Sequence, residues 1–204
     1  MAGNDVVHVV DDDVDVRKSL GFLLATADFA VRLHESASAF LATAPKTIDG
    51  CIVTDVRMPG IDGIEFLRQL RSRDHAIPVI VMTGHADVAL AVQAMKEGAA
   101  DFIEKPFDDQ ILIDAIRSAL DNRDHAVATH PQAADIRRSL STLSERERQV
   151  LDGLVSGLPN KTIAYDLGIS PRTVEIHRAN VMSKMGAASL SHLVRMALIA
   201  DSKH

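Results

Sequence analysis

The chain has 204 residues, of which 47% are apolar and 25% charged, a composition that provides for a sizeable core and excludes wholesale disorder. Its single cysteine, Cys51, excludes an internal disulfide and any cysteine-based zinc site. No apolar run approaches the ~20 residues that span a bilayer, and the start Met-Ala-Gly-Asn-Asp lacks the basic and apolar segments of a signal peptide, so the expectation is a cytoplasmic protein with no membrane partner.

Taken in chain order, short apolar runs alternate with amphipathic stretches. Val6–Val10, Ala30–Leu33, Cys51–Thr54, Val79–Met82 and Ala100–Ile103 read as buried strands. Val14–Ala27, Ala37–Ala44, Ile64–Arg73, Val88–Gly98 and Gln110–Leu120 read as helices; in the fourth, Val88, Ala91, Val92 and Met95 recur at helical spacing. Five strands alternating with five helices predict an α/β unit: a five-stranded, mostly parallel sheet flanked by helices on both faces. Chemistry in such sheets sits at the carboxyl ends of the strands.

The amphipathic pattern lapses after Leu120, and Pro131 lies in the lapse. The expected division is a first domain over 5–122, a linker over 123–136 and a second domain over 137–204. That last part holds four helical segments and no strand: Glu145–Ser156, Asn160–Leu167, Pro171–Met185 and Leu190–Ala200. Ser144 with Glu147 forms a capping box, Ser170-Pro171 an N-cap with proline at the first helical position, and Gly157, Gly168 and Gly186 are stops. The formal charge of −6 is uneven, −8 over 1–140 and +2 over 141–204, which leaves the C-terminal part as the place where a polyanion would bind.

Under the parallel-sheet reading, Asp11-Asp12-Asp13 after the first strand, Asp55 after the third, Thr83 after the fourth and Lys105 after the fifth converge on one edge. Crowded carboxylates repel, and a hard divalent cation relieves them; Mg²⁺ takes a few carboxylates, a carbonyl and water. An ammonium and a hydroxyl opposite suit the oxygens of a phosphoryl group. The chemistry expected is phosphoryl transfer onto a carboxylate. Asp13 reads as a cap of the first helix, and Asp62 and Asp87 read as solvated, helix-capping acids. His8, His34, His85 and the other histidines show no ligand-like cluster in the sequence, and Cys51 reads as core packing.

Here four blocks in order carry a resemblance: Val-Val-Asp-Asp-Asp with Arg17 downstream, Val-Thr-Asp-Val-Arg-Met-Pro-Gly-Ile-Asp-Gly, Val-Met-Thr-Gly-His-Ala and Gly-Ala-Ala-Asp-Phe-Ile-Glu-Lys-Pro-Phe. Over residues 6–107 the chain resembles the receiver domain of response regulators, of flavodoxin-like fold. The resemblance implies Asp55 as phosphoacceptor. It implies Asp11, Asp12, Asp55 and the main-chain carbonyl of Arg57 as Mg²⁺ ligands, Thr83 and Lys105 as phosphoryl contacts, and Phe102 as an aromatic that changes rotamer on activation. A cis Lys105–Pro106 bond is implied as well.

Asn160–Leu167, a turn at Gly168 and Pro171–Met185 have the layout of a helix-turn-helix. On a helical wheel Val174, Val181, Met182 and Met185 form an inward stripe; Arg172, Thr173, Glu175, Ile176, Ala179, Asn180 and Ser183 lie opposite. Ile176 suits a thymine methyl, Arg172, Thr173 and Asn180 suit phosphates or base edges, and Glu175 suits a cytosine amino group. Arg178 falls nearer the stripe and has to snorkel outward, while Lys184 flanks the face as a phosphate contact. The blocks 143–151, 157–164 and 170–185 resemble the LuxR/GerE-type four-helix DNA-binding domain, which places Asn160 and Lys161 beside this surface and implies double-stranded DNA and RNA polymerase as partners.

The whole arrangement resembles the rhizobial activators of nitrogen-fixation and microaerobic genes. That likeness implies a sensor histidine kinase whose haem reports oxygen, and a homodimer formed on phosphorylation through the fourth helix and fifth strand. Two rivals are an aspartyl-phosphate phosphohydrolase, which commonly has a second Asp where this chain has Arg57, and a kinase-binding adaptor that never touches DNA. No Walker A loop or dinucleotide fingerprint supports a nucleotide-binding enzyme, and the chain is read as a regulator, not an enzyme.

Overall fold

The computed structural model describes residues 6–45, 47–73, 75–84, 88–123 and 130–201, the side chains of 88, 122, 123 and 130–133 apart. The expected cap Asp87, His85 and residues 124–129 of the expected linker lie outside the described residues. The elements are β1 (Val6–Val10), α1 (Val14–Thr26), β2 (Ala30–His34), α2 (Ala37–Thr43), β3 (Cys51–Asp55), α3 (Gly63–Ser72), β4 (Val79–Thr83), α4 (Val88–Lys96), β5 (Asp101–Glu104), α5 (Asp109–Arg123), α6 (His130–Ser141), α7 (Glu145–Val155), α8 (Asn160–Leu167), α9 (Pro171–Met185) and α10 (Leu190–Asp201). They divide into two compact units, 1–85 with 97–126 and 86–96 with 127–204.

All four strand pairings are parallel, in the order β2-β1-β3-β4-β5. Strand periodicity sends Val7, Val9, Cys51, Val53, Ile80 and Met82 to one face, where Leu20 and Leu24 of α1 and Leu112 and Ile116 of α5 close over them. The expected five strands are present, but β2 is not a buried strand. It is an edge strand whose residues are half-exposed or exposed, Leu33 among them, because one side of it has no neighbour to pack against. The order reverses between β1 and β3, the point at which sheets of this kind offer a crevice at the carboxyl ends of their strands. Asp11 follows β1 and Asp55 ends β3, so both acids stand at that crevice.

Among the described residues the C-terminal part carries five helices, one more than the four expected. The extra helix, α6, begins at His130 in the segment read as linker. Pro131, which marks the lapse in the sequence pattern, falls in the first turn of α6, where a missing N–H costs nothing. Ile136 of α6 joins Leu143, Val150, Leu154, Ile163, Val174, Val181, Met185 and Leu193 in a second core. The expected caps are formed: the Ser144–Glu147 box starts α7, Ser170 accepts from the Thr173 N–H at the start of α9, and Gly168 ends α8 at φ +65°.

Candidate functional site

Asp55 is the last residue of a strand otherwise fully buried, with only 14% of its side chain exposed. Its Oδ2 accepts the main-chain N–H of Arg57 at 2.7 Å, and its Oδ1 accepts from Nζ of Lys105. The same ammonium lies 3.5 Å from Oδ2 of Asp11, whose side chain is 3% exposed. Burial raises the Asp11 carboxyl above the ordinary carboxylate range; the main-chain N–H of Asp13 and the Lys105 charge oppose that shift, and the Asp55 charge adds to it. Lys105 thus bridges two acids that would otherwise repel. It is brought there by β5 and by its own main-chain N–H, which donates to the Thr83 carbonyl at 2.7 Å. Thr83, 3% exposed, ends β4 beside it. The Lys105–Pro106 bond is cis, as the resemblance implied.

The remaining expected members are more peripheral. Asp12 is exposed and follows Asp11 in the chain; Phe102 is half-buried on β5. Asp13 and Asp62 are N-caps, Asp13 accepting from Asp15 and Val16 and Asp62 from Glu65. The main-chain N–H of Val16, and after it that of Asp15, lowers the Asp13 carboxyl below the ordinary range. Arg17 donates to the main-chain oxygen of Asp11 at 2.7 Å and holds the β1–α1 turn. Sequence reasoning missed Gly63. A β-carbon there would stand 2.3 Å from the Asp55 carbonyl oxygen, so the bare glycine lets α3 start directly against the strand end.

Mg²⁺ fits this donor set: Asp11, Asp55 and neighbouring main-chain carbonyls are hard oxygens, and the ion takes one or two carboxylates and keeps its waters. Among the described residues no group of three or more His, Cys, Asp or Glu side chains is gathered for a metal; Lys105 stands between the two acids instead.

In the C-terminal unit, α9 sorts its residues as the helical wheel predicts. Val174, Val181 and Met185 are buried, Met182 half-buried, and Arg172, Glu175, Ile176, Ala179, Asn180 and Ser183 exposed; Thr173, expected on the outward face, is half-buried. Arg178 is half-buried, in line with its place near the stripe. Asn160 opens α8 half-buried and Lys161 is exposed. Arg172 pairs with Glu175 at 3.0 Å on the surface, and Thr173 shares its hydroxyl with Ser170. The Lys184 ammonium donates to Glu147 at 2.7 Å and to the Thr142 carbonyl at 3.4 Å, so it ties α9 to α7. Glu147 also closes the α7 cap, and the Lys184 hydrogen bond, followed by the Ser144 N–H, holds its carboxyl down at about 2. Cys51 is fully buried and its thiol is pushed up to about 12, which makes it packing and not a nucleophile.

An acid pair bridged by a lysine at the switch point of a 2-1-3-4-5 sheet, followed in the chain by a helix-turn-helix unit, is the layout of a response regulator with a DNA-binding output domain. The family comparisons agree: the response regulator receiver domain matches residues 7–143, and the luxR family of bacterial regulatory proteins matches residues 141–197. The chain belongs to the two-component response regulators, with a receiver followed by a LuxR-type DNA-binding domain. Within them it is similar to the transcriptional regulatory protein FixJ of Rhizobium meliloti (strain 1021), 61% identical over 94% of each chain. FixJ of Azorhizobium caulinodans is 59% identical over 95% of this chain and 92% of its own. Among solved structures, full-length FixJ from B. japonicum covers 100% of both chains at 49% identity and a TM-score of 0.59. Response regulator StyR covers 96% of this chain and 99% of its own at 40% identity and a TM-score of 0.57. No helix among the described residues is long and apolar enough to cross a membrane.

Proposed function

We propose that the chain is a cytoplasmic transcription activator switched by phosphorylation of Asp55, and that it controls nitrogen-fixation or microaerobic genes as the FixJ relatives' likeness implies. The observation that carries this reading is the convergence of Asp55, Asp11, Thr83 and Lys105 at one strand edge. The donor is a phosphohistidine on a sensor kinase of FixL type, whose haem reports oxygen. The Asp55 carboxylate attacks phosphorus, the N–P bond breaks as the O–P bond forms, and the imidazole leaves with the electron pair. Asp11, Asp12, Asp55 and the Arg57 carbonyl would hold Mg²⁺, which would supply charge neutralisation for the transferring oxygens.

After transfer, the phosphoryl oxygens carry close to two negative charges and take the Lys105 ammonium away from the bare carboxylates. Thr83 supplies a hydroxyl donor from the end of β4, and Phe102 turns inward on β5. These shifts favour a homodimer through α4 and β5, which presents two copies of the α9 surface to paired half-sites on promoter DNA and recruits RNA polymerase. Thr173, Glu175, Ile176, Ala179 and Asn180 read the groove, with Asn160, Lys161, Arg172 and Arg178 at its phosphates. No external substrate is turned over.

Intact mass after incubation with acetyl phosphate or the cognate kinase tests the reading. One added phosphoryl group is expected in the wild type with Mg²⁺, and none in Asp55→Asn. An addition that survives in Asp55→Asn overturns the assignment.

A further inference from the structure

On the far side of β1 from the switch crevice, two histidines absent from the proposed phosphoryl chemistry face each other. His8 lies on β1 and His34 ends β2; the register pairs His8 with Arg32 and Val10 with His34, so the two imidazoles are diagonal neighbours on one sheet face. Nδ1 of His8 and Nε2 of His34 are 3.2 Å apart, and the rings stack at 27°. Phe40 of α2 stands edge-on to both and fixes their orientation. A cavity of about 220 Å³ opens beside the pair, with Arg32, Thr43, Thr47 and Asp49 on its wall.

We propose that His8 and His34 form a two-imidazole site for a borderline divalent transition ion such as Zn²⁺ or Cu²⁺. Two nitrogens each ~2.05 Å from a tetrahedral ion are about 3.3 Å apart, the separation these two already have. Imidazole is a ligand of choice for Zn²⁺ and Cu²⁺ and a poor one for Mg²⁺, so the site and the oxygen-lined crevice select different ions. The His8 ring also donates to the main chain at Asp49. An outer hydrogen bond of that kind fixes the tautomer in which the other nitrogen is the ligand.

Without the ion, Nε2–H of His34 fills the gap as a hydrogen bond to Nδ1 of His8. Binding requires that hydrogen to move to Nδ1 of His34 through water, with no net proton released. Burial, the largest influence on each ring, keeps both neutral: His34 is lowered to about 4 and His8 is lowered as well. Among the described residues no third His, Cys, Asp or Glu side chain joins them, so water from the cavity completes the shell and the affinity is below that of a four-ligand structural zinc site. The His34 carbonyl accepts from the Asp11 N–H at 3.3 Å, so an occupied pair holds the end of β2 against the start of the crevice.

The test is a Zn²⁺ titration of the full chain in excess Mg²⁺, read with a chromophoric zinc indicator. One equivalent is expected to bind in the wild type and in Asp55→Asn, and affinity is expected to fall about tenfold or more in His34→Gln. No binding at a tenfold excess of Zn²⁺, or binding unchanged in His34→Gln, overturns the site. If that variant does not fold, electron paramagnetic resonance of Cu²⁺ on the wild type decides: coupling to two imidazole nitrogens supports the pair, and one or none overturns it.

Discussion

Gly63 stands directly behind Asp55, and the space it leaves is filled by backbone. A β-carbon would meet the Asp55 oxygen at 2.3 Å and the Val56 Cα at 3.0 Å, neither of which can rotate away. Gly63→Ala is therefore expected to cost about 1–3 kcal/mol by overpacking. It is also expected to slow phosphoryl uptake, because relief comes only by moving the β3 end that aims Asp55. Urea unfolding and intact mass check the two effects; unchanged values in both would mean that the junction gives way at no cost. At this scale the sequence was generous with chemistry and silent about pairing. The acids, Thr83 and Lys105 were legible because each ends an apolar run. Gly63 was not, since its role depends on how closely α3 docks. The His8–His34 pair was not legible either: 26 residues separate them, and only the β1–β2 register brings the rings together.

Between elements, the tie that matters most for α9 is Lys184 to Glu147. Glu147 is 5% exposed and serves two helices at once, capping α7 through Ser144 and accepting from Lys184 near the end of α9. Lys184→Met keeps the stem and removes the charge, leaving a buried carboxylate without its cation. The variant is expected to unfold at lower temperature and to lose affinity for DNA with little change in how that affinity responds to salt, since no phosphate contact is lost. The pH dependence has a definite sign. A carboxyl held near 2 when folded and near 4.5 when free contributes stability above pH 4.5, lost as pH falls towards 2. Urea midpoints across that range are expected to fall less steeply in Lys184→Met than in the wild type. Parallel slopes would remove the tie from the account. Helical periodicity on a wheel placed Lys184 at the flank but carried no word of Thr142 or Glu147 on other helices. Likewise Pro131 hid α6, and an apolar composition made the edge strand β2 look buried.

For the molecule as a whole, charge is the property that the sequence states outright, −8 over 1–140 against +2 over 141–204. So small a positive balance gives weak binding to the polyanion, and pairing two copies is the way to raise it. If Lys161, Arg172 and Arg178 each neutralise one phosphate, three counterion releases give a slope of log K against log salt of about −2.7 for one copy, and about −5.4 for two. The proposed dimer is thus expected to show about twice the salt slope when Asp55 is phosphorylated, together with the tighter binding that two half-sites provide. Arg172→Ala is expected to reduce the phosphorylated slope by about 1.8, one phosphate from each copy. Fluorescence anisotropy on promoter DNA at several salt concentrations, with and without acetyl phosphate, measures both. A slope that stays the same on phosphorylation would mean that a single copy binds in both states. Affinity without salt dependence would return the helices to the adaptor reading, in which they meet protein rather than DNA.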